Sequence, residues 1–486
     1  MSHLLPASLV LALALPPTAL AAAAEQSPTS AAELKALRAE LDAMRAAYEG
    51  RLRALETRLQ AAEAAAVTAS NVGPPVASPA SPPAPAVAAN VPAAPSPVPP
   101  PPAPTASVAG ASSNAFNPAI SLILSGLYTR TSRDPAAYAI NGFALPAGAE
   151  IGPGTRGFSL AETEIGLAAS VDPWWRGAAT IALHGDNTVS VEEAFIQTTA
   201  LGSGFTLKAG RFFSGVGYLN SKHAHSWDFV DNPLAYQALL GTQYGDDGVQ
   251  LKWLAPIDQY LELGIEVGRG RGFPGGDNAA NGAGMAAFTA HSGGDFGISH
   301  SWRAGVSLLG VKASGLGLRD INAAGDAVHN TFSGNTQVWV ADAVWKWAPN
   351  GNSTRTSFTL QGEVLRSRRS GSLVYDVDNT NRSGDYRATQ SGWYLQGVYQ
   401  FMPRWRIGLR AEQLDPGRPD YGINAAGFAA VTHRPRKNSL MLDFIQSEFS
   451  RLRLQLARDR AREGAADTQL FLQYQMSLGA HGAHAY

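Results

Sequence analysis

The sequence predicts an all-β transmembrane barrel of about 16 antiparallel strands over residues 116–486, preceded by an α-helical coiled coil and a Pro/Ala-rich linker. Two observations lead to this fold class. Polar and apolar residues alternate along runs of roughly ten residues, and Gly, Asn, Asp and Pro clusters separate those runs. Short connections alternate with mostly long ones along the chain, which is typical of outer-membrane barrels.

The first segment, residues 1–24, predicts a signal peptide. A short apolar core is followed by Ala19, Leu20 and Ala21, a small-x-small cleavage pattern. No Lys or Arg precedes that core, so an uncleaved apolar tail is the alternative. The chain has no cysteine, which excludes disulfides and thiolate chemistry, and its net charge of -1 gives no basis for binding nucleic acid. No later run approaches the roughly 20 apolar residues of a transmembrane helix.

The next two segments predict a periplasmic extension. Residues 31–66 carry a heptad seam with one four-residue insertion, which predicts a short, parallel, trimeric coiled coil. A lone amphipathic helix lying on another surface is the alternative. Residues 67–113 are rich in Pro, Ala, Val and Ser and cannot bury a core, so we predict a disordered, semi-rigid linker. The seam is formed by Leu34, Leu37, Leu41, Met44, Tyr48, Leu52, Leu55 and Leu59.

The barrel prediction depends on the period-two runs and on the connections between them. Short connections include DPWW, LGSG, APID and MPR, and HGDN is short where a long loop is due. The long connections are predicted at residues 131–157, 214–243, 269–283, 313–334, 370–386 and 415–434. The runs begin near residues 118, 158, 175, 188, 204, 245, 258, 284, 298, 335, 354, 387, 403, 435, 449 and 467.

The last run, which alternates from Thr468 onward, predicts how the barrel closes. With an even number of strands both barrel ends lie on the short-turn side, so the last strand must pair with the first, near residues 117–130. The final aromatic, Tyr486, resembles the assembly signal that the barrel-assembly machinery reads on outer-membrane proteins. A soluble β-sandwich or β-helix is the alternative. It is disfavoured by the export signal, by the absence of cysteine and by the tryptophans near strand ends.

The order of signal, coiled coil, spacer and barrel resembles Gram-negative porins that include the phosphate-selective type with a periplasmic coiled coil. The segments FNPAISLILSGLYT, GRFFSGVGYLNSKHAHSWDFVD, YGDDGVQLKWLAP and SLGAHGAHAY are similar to proteins labelled zinc-regulated outer-membrane receptors. That label implies coupling to TonB, which would need a plug domain and about 22 strands, and this sequence supports neither. The porin resemblance implies a homotrimer in outer-membrane lipid, with residues 214–243 folded into the barrel to narrow the pore.

That loop contains a dense set of polar candidates: Lys222, His223, His225, Asp228 and Asp231. His223 and His225 with Asp228 could ligate a divalent metal, since imidazole and carboxylate suit zinc. The alternative is that these groups form hydrogen bonds that fix the loop against the wall. A second histidine pair, His481 and His484, lies near the end of the chain and could bind metal or face the aqueous rim.

A set of cations is predicted to face the lumen. A ladder of cations opposite loop carboxylates would create a transverse field that sorts solutes by charge. Alternatively, these cations pair with Glu262, Glu266, Glu363, Glu412 and Asp443, and the near balance of signs leaves the ion preference open. The predicted lumen cations are Arg303, Arg355, Arg404, Arg406, Arg410, Arg451 and Arg453, with Lys208 and Lys252 on other inward faces.

These observations predict a passive porin for small hydrophilic solutes or ions, with no cofactor. One alternative is a zinc-related uptake channel, and another is an envelope tether whose lumen is blocked and whose coiled coil reaches the cell wall. An enzyme is not expected. His184, Asp186 and Ser190 form the only compact acid and histidine set at a predicted loop tip.

Overall fold

The computed structural model describes residues 118–147, 151–161, 163–199, 201–276 and 281–479. The predicted signal peptide, coiled coil and linker lie outside the described residues, as do His481, His484 and Tyr486. The described chain forms eighteen strands, one short α-helix and four 3-10 turns. Within these ranges no helix is both long enough and apolar enough to cross a membrane.

All of the strands belong to one antiparallel sheet that closes on itself. The strands β3 and β4 both pair with β1 and together make one wall strand, whereas the two-residue β2 lies in the first long loop and pairs with β11. The described residues therefore form a closed barrel of sixteen wall strands, which confirms the predicted fold. The strands are β1 (Ala119–Thr131), β2 (Leu145–Pro146), β3 (Gly157–Leu160), β4 (Thr163–Ser170), β5 (Trp175–Leu183), β6 (Val189–Thr198), β7 (Phe205–Phe213), β8 (Gly245–Leu254), β9 (Tyr260–Gly268), β10 (Met285–Phe296), β11 (His300–Ile321), β12 (Ala327–Trp347), β13 (Ser357–Tyr375), β14 (Arg382–Met402), β15 (Trp405–Asp415), β16 (Arg436–Ser447), β17 (Ser450–Arg460) and β18 (Asp467–Gly479).

The barrel closes where the sequence predicts, between the first and last strands. The two strands pair without interruption from Ser121 opposite Gly479 to Thr131 opposite Gln469. Strand β18 also shows why the alternation arises. Its polar side chains, such as Gln469 and Gln473, are buried inside the barrel, while Leu472 on the other face is 42% exposed. A closed sheet with a polar inside and an apolar outside is the architecture of a transmembrane barrel of the bacterial outer membrane.

Tryptophans mark the two edges of the apolar band. At the short-turn end, tryptophans lie at the ends of strands, as Trp175, Trp347 and Trp405 do. Trp339 and Trp393 are exposed on the outside of β12 and β14, eight and nine residues from the short-turn ends of those strands. A membrane-spanning strand needs about 9–11 residues, so these side chains lie at the two edges of the hydrocarbon layer.

The strands of the barrel wall are short on one side of the barrel and long on the other. Strands β4 to β9 contain 8 to 10 residues, whereas β11 to β14 contain 19 to 22. The long strands continue past the apolar band at the long-loop end. The predicted loops 313–334 and 370–386 are therefore wrong, because both segments are strand extensions joined by turns at residues 322–326 and 376–381.

Beyond the apolar band, toward the long loops, the inner face of the strands is apolar and the outer face is polar. In the first part of β12, Val328 and Phe332 are buried inside while His329 and Ser333 face out. Fourteen of the sixteen wall strands begin within three residues of their predicted starts, and the two exceptions, β12 and β14, begin in this region. There the outside faces water rather than lipid, so the pattern that identifies a lipid-facing strand is absent.

One glycine in the wall is required by a close approach of side chains. A Cβ at Gly305 in β11 would lie 2.1 Å from Cδ2 of His291 and 2.6 Å from a carboxylate oxygen of Asp342, both of which are buried. At Gly310 in the same strand the nearest atom, the carbonyl oxygen of Ala286, would be 3.8 Å away.

We expect Gly305→Ala to lower the free energy of unfolding by about 1–3 kcal/mol, since extra volume in a packed interior forces its neighbours to move. Gly310→Ala should be close to the unchanged protein. The measurement is the urea concentration at which half of the protein is unfolded, with folded and unfolded protein distinguished by heat-modifiable gel migration. Equal midpoints for the two variants would contradict the prediction.

Candidate functional site

The largest structure inside the barrel is the connection between β7 and β8, residues 214–244, which we name the lumen loop. It leaves β7 after Phe213 and contains a 3-10 turn, Ala224–Ser226, and the helix α1, Leu234–Leu240. Gly241 ends the helix with φ +65°, a conformation that glycine adopts readily. All seven residues of α1 are buried, so the loop is folded into the barrel, as the resemblance implies.

Apolar contacts hold one side of the lumen loop. Helix α1 contacts β13, β14 and β15, and its buried residues share an apolar cluster with inward-facing side chains of the long strands. The first long loop adds Tyr138, Ile140 and Phe143 to the same cluster. The wall residues in the cluster include Val340, Leu365, Tyr394 and Leu414.

Glu363 of β13 is the central polar anchor of the lumen loop. Its carboxylate accepts hydrogen bonds from the backbone N–H groups of Tyr218 and Leu219, at 3.1 and 3.0 Å. It also accepts from the hydroxyls of Tyr236 at 2.8 Å and Tyr394 at 2.6 Å. Glu363 is 2% exposed. One buried carboxylate thus connects two parts of the loop to two wall strands.

The carboxylates of Asp228 and Asp231 attach the loop to β15 and β16. Asp228 lies 3.0 Å from Nη1 of Arg406. Asp231 lies 2.7 Å from Nη2 of Arg410 and forms a further ion pair with Lys437. Both loop aspartates are therefore structural ion-pair partners of the wall.

Asp231 gives the loop a defined response to acid. Burial raises the pKa of this carboxyl, but the charges of Lys437 and Arg410 outweigh burial and hold it well below its ordinary value. A lowered folded-state pKa stabilises the protein above the unfolded-state value of about 3.9. That stabilisation is lost as the pH falls through the folded-state pKa.

We therefore expect Asp231→Asn to lower the urea midpoint at pH 7 and to reduce the loss of stability on acidification below about pH 4. The measurement is the urea midpoint at a series of pH values for both proteins. Parallel pH curves for the two proteins would show that Asp231 does not contribute in this way.

Arginines of β17 hold the middle of the lumen loop. Arg453 is fully buried, lies 2.8 Å from the Asp443 carboxylate through Nε, and donates from Nη2 to the carbonyl oxygen of Trp227 at 2.8 Å. Arg451 donates to the carbonyl oxygen of His225 at 2.9 Å. The Asp443 carboxylate also lies 2.5 Å from Nη2 of Arg406.

The charged side chains of β15 to β17, together with Asp228 and Asp231 of the lumen loop, form two groups in which opposite signs of charge are in excess. Toward the short-turn end, three arginines face two aspartates, and toward the long-loop end two cations face three carboxylates. The two groups therefore carry formal charges of opposite sign. The first group is Arg406, Arg451, Arg453, Asp228 and Asp443, and the second is Arg410, Lys437, Asp231, Glu412 and Asp459.

Lys222 and Arg303 meet at one aromatic ring. The Lys222 ammonium lies 4.6 Å and the Arg303 guanidinium 5.3 Å from the ring centroid of Tyr218. Burial and the charge of Arg303 lower the pKa of Lys222.

Two of the cations that the sequence predicts in the lumen lie elsewhere in the structure. Arg355 and Arg404 lie in short connections between strands and are exposed, so the prediction that they line the lumen is wrong.

The loop histidines meet glutamates rather than Asp228. His223 lies 3.1 Å from Glu192 through Nδ1 and 2.9 Å from Glu193 through Nε2. Nδ1 of His225 lies 2.7 Å from Glu164. The imidazole rings of His223 and His225 stack, with their centroids 5.6 Å apart. Burial lowers the pKa of His223, but the bonds to Glu192 and Glu193 raise it well above its ordinary value.

The predicted metal set therefore needs correction. Asp228 pairs with Arg406, and the carboxylates beside the histidines come from β4 and β6. The sequence offers one signal for them, the adjacent pair Glu192 and Glu193 in an otherwise alternating strand.

The possible hydrolase set at the rim is only partly assembled. Nε2 of His184 lies 2.7 Å from Oγ of Ser190. The Asp186 carboxylate instead accepts from the backbone N–H and the hydroxyl of Thr188, at 2.9 and 2.6 Å. The acid thus stabilises its own turn.

No family model matches the sequence. An uncharacterized protein of Aquifex aeolicus strain VF5 is 32% identical over 412 residues, which cover 78% of this chain and 82% of that protein.

Two solved outer-membrane proteins illustrate the distant structural similarity. Vibrio cholerae OmpT is 11% identical and covers 76% of this chain and 99% of its own, with a TM-score of 0.46. An anion-selective porin from Comamonas acidovorans is 10% identical and covers 74% of this chain and 99% of its own, with a TM-score of 0.45. Similarity at this level says nothing about solute or mechanism.

Proposed function

The chain belongs to the same family as the uncharacterized Aquifex aeolicus protein, and from the geometry of its barrel we propose that it is a passive outer-membrane porin for small hydrophilic solutes or ions. The observation that carries this proposal is the lumen loop, a constriction held inside a wall that is polar within and apolar outside. A loop in this position sets the width of a pore, and the charged side chains of β15 to β17 set its ion preference.

The test is the conductance of the purified protein in a planar lipid bilayer under a salt gradient. Discrete steps are expected, and the sign of the reversal potential reports which group of charges dominates. Folded protein, identified by heat-modifiable migration, that produces no steps would overturn the proposal.

We further propose that the barrel is a homotrimer whose interface is the low side of the wall. Strands β4 to β9 rise little above the apolar band, so three copies could pack there without their long extensions colliding. Conductance steps that arrive in threes would support a trimer. Single independent steps would contradict it.

The envelope tether is the second candidate, because the lumen loop is bonded to the wall on several sides. It contacts β9 through Glu266, β13 through Glu363, β15 through Glu412 and β17 through Gln455. In this case the barrel is an anchor, and the predicted coiled coil at residues 31–66 reaches the cell wall. Deleting residues 31–66 should then abolish association with the wall, and unchanged association would exclude the tether.

A further inference from the structure

Five titratable side chains converge on the inner face of the low side of the wall, strands β4 to β9, and we name them the His/Glu cluster. They are Glu164 of β4, Glu192 and Glu193 of β6, and His223 and His225 of the lumen loop. Glu164 and Glu192 each lie six residues from the short-turn ends of β4 and β6, and β4 continues β3 in one wall strand. The cluster therefore faces the lumen part-way along the wall.

A β-bulge in β6 brings both adjacent glutamates into the lumen. Val191 pairs with Ile181 and Glu193 pairs with Thr180, so Glu192 is an extra residue in the strand. In a regular strand two successive side chains point to opposite faces, and one glutamate would face lipid. Bulges redirect side chains and are frequent next to functional sites. Here the side chains of Glu192 and Glu193 are 12% and 15% exposed.

Two of the distances in the cluster are close to the separation of two ligand atoms on a bound metal ion. Zinc binds His nitrogen and carboxylate oxygen at about 2.0–2.2 Å in tetrahedral geometry, which places two ligand atoms about 3.3–3.6 Å apart. Nδ1 of His223 lies 3.1 Å from Glu192 and 3.5 Å from Glu164. One ligand atom each from Glu164, Glu192 and His223 all lie within 4.8 Å of one another.

The charge of the cluster also favours a cation. Three carboxylates come together here, and a cation among them, either a proton on an imidazole or a divalent ion, offsets their mutual repulsion in a partly buried site. A divalent ion would neutralise two of these charges. The side chains of His223 and Glu192 are 16% and 12% exposed, whereas Glu164 is 3% exposed.

We propose that Glu164, Glu192 and His223 form a lumen-facing binding site for a divalent cation of the zinc type. His225 positions Glu164 through the 2.7 Å contact, and Glu193 positions His223 through Nε2. Imidazole and carboxylate together suit zinc, whereas magnesium and calcium prefer oxygen ligands. Binding at this site does not require that the barrel conducts, so the proposal is independent of the porin function.

The test is zinc binding to the folded, detergent-solubilised protein, purified without a histidine tag and stripped with a chelator. Isothermal titration should give one zinc per chain, and cobalt should give the visible absorption of a His-ligated ion. Glu192→Gln and His223→Gln should each weaken the affinity for zinc by about 100-fold or more. Loss of a residue that only hydrogen-bonds to a ligand typically lowers metal affinity by about 10–100-fold. His225→Gln should fall in that smaller range.

The matched control is His329→Gln, because His329 on the outer face of β12 is exposed and pairs at 2.8 Å with Asp378 in the turn between β13 and β14. This variant should bind zinc as the unchanged protein does. Folded, conducting protein that binds no zinc would overturn the site and leave the porin function intact. Zinc binding that survives both Glu192→Gln and His223→Gln would also overturn it, whereas binding without any conductance would count against the porin function alone.

Discussion

Replacing Glu363 by glutamine is expected to free the lumen loop and to give larger, noisier single-channel currents. Four donors meet this carboxylate, two backbone N–H groups and two tyrosine hydroxyls. A glutamine amide has only one acceptor oxygen and turns an NH₂ group toward the remaining donors. Each buried donor that is left without a partner costs about 1–3 kcal/mol, so the loop loses its main polar anchor.

Two measurements check this prediction. Single-channel recordings should show increased conductance and current noise, and limited proteolysis should cut within residues 214–244 of the variant. Glu448→Gln is the matched control, because Glu448 is exposed in a short turn. If Glu363→Gln conducts with the same amplitude and noise as the unchanged protein, the loop does not depend on this residue. If the unchanged protein is closed and only Glu363→Gln conducts, the tether candidate gains support.

Asp443→Asn should have the second large effect, on both stability and ion preference. Asp443 is 0% exposed and pairs with Arg406 and Arg453. Removing one partner from a buried ion pair typically costs about 3–5 kcal/mol. Three arginines would then face only Asp228 in this part of the lumen, so anions should pass more readily.

The reversal potential in a potassium chloride gradient should therefore shift toward anion preference, and the urea midpoint should fall. Asp378→Asn, at an exposed position, should change stability by no more than about 0.5 kcal/mol and leave the reversal potential unchanged. An Asp443→Asn protein with unaltered ion preference would show that this group of charges lies outside the conducting path.

The sequence predicts a strand well where one face of the strand contacts lipid. Strand β15 was recognised because Ile407 and Leu409 face lipid while Arg406 and Arg410 face the lumen. The extensions of β12 and β14 lack this signal because their outside faces water, and polar residues such as His329 point outward there. The periodicity remains in these extensions, but its polarity is reversed.

The candidate site was less predictable because its partners are distant in sequence. The positions of His223 and His225 could be read from the loop, but Glu164 and Glu192 belong to strands whose register and bulge are set by pairing. Proximity in sequence groups Asp228 with the histidines, whereas the fold places it beside Arg406, 178 residues away. The alternation of β15 predicts Arg404 on the lumen face, but the strand begins one residue later, at Trp405.

The contact between β1 and β18 has a consequence for how the protein is made. These strands are the first and last wall segments to be synthesised, and each leaves an unpaired edge until the other is present. Eleven residue pairs, from Ser121–Gly479 to Thr131–Gln469, join only when the whole wall has been translated and exported. A chain that stopped before β18 would carry two open edges, on β1 and on β17, and open edges pair with other chains. Because β18 is the last wall strand to be synthesised, only a chain that includes it can close the barrel.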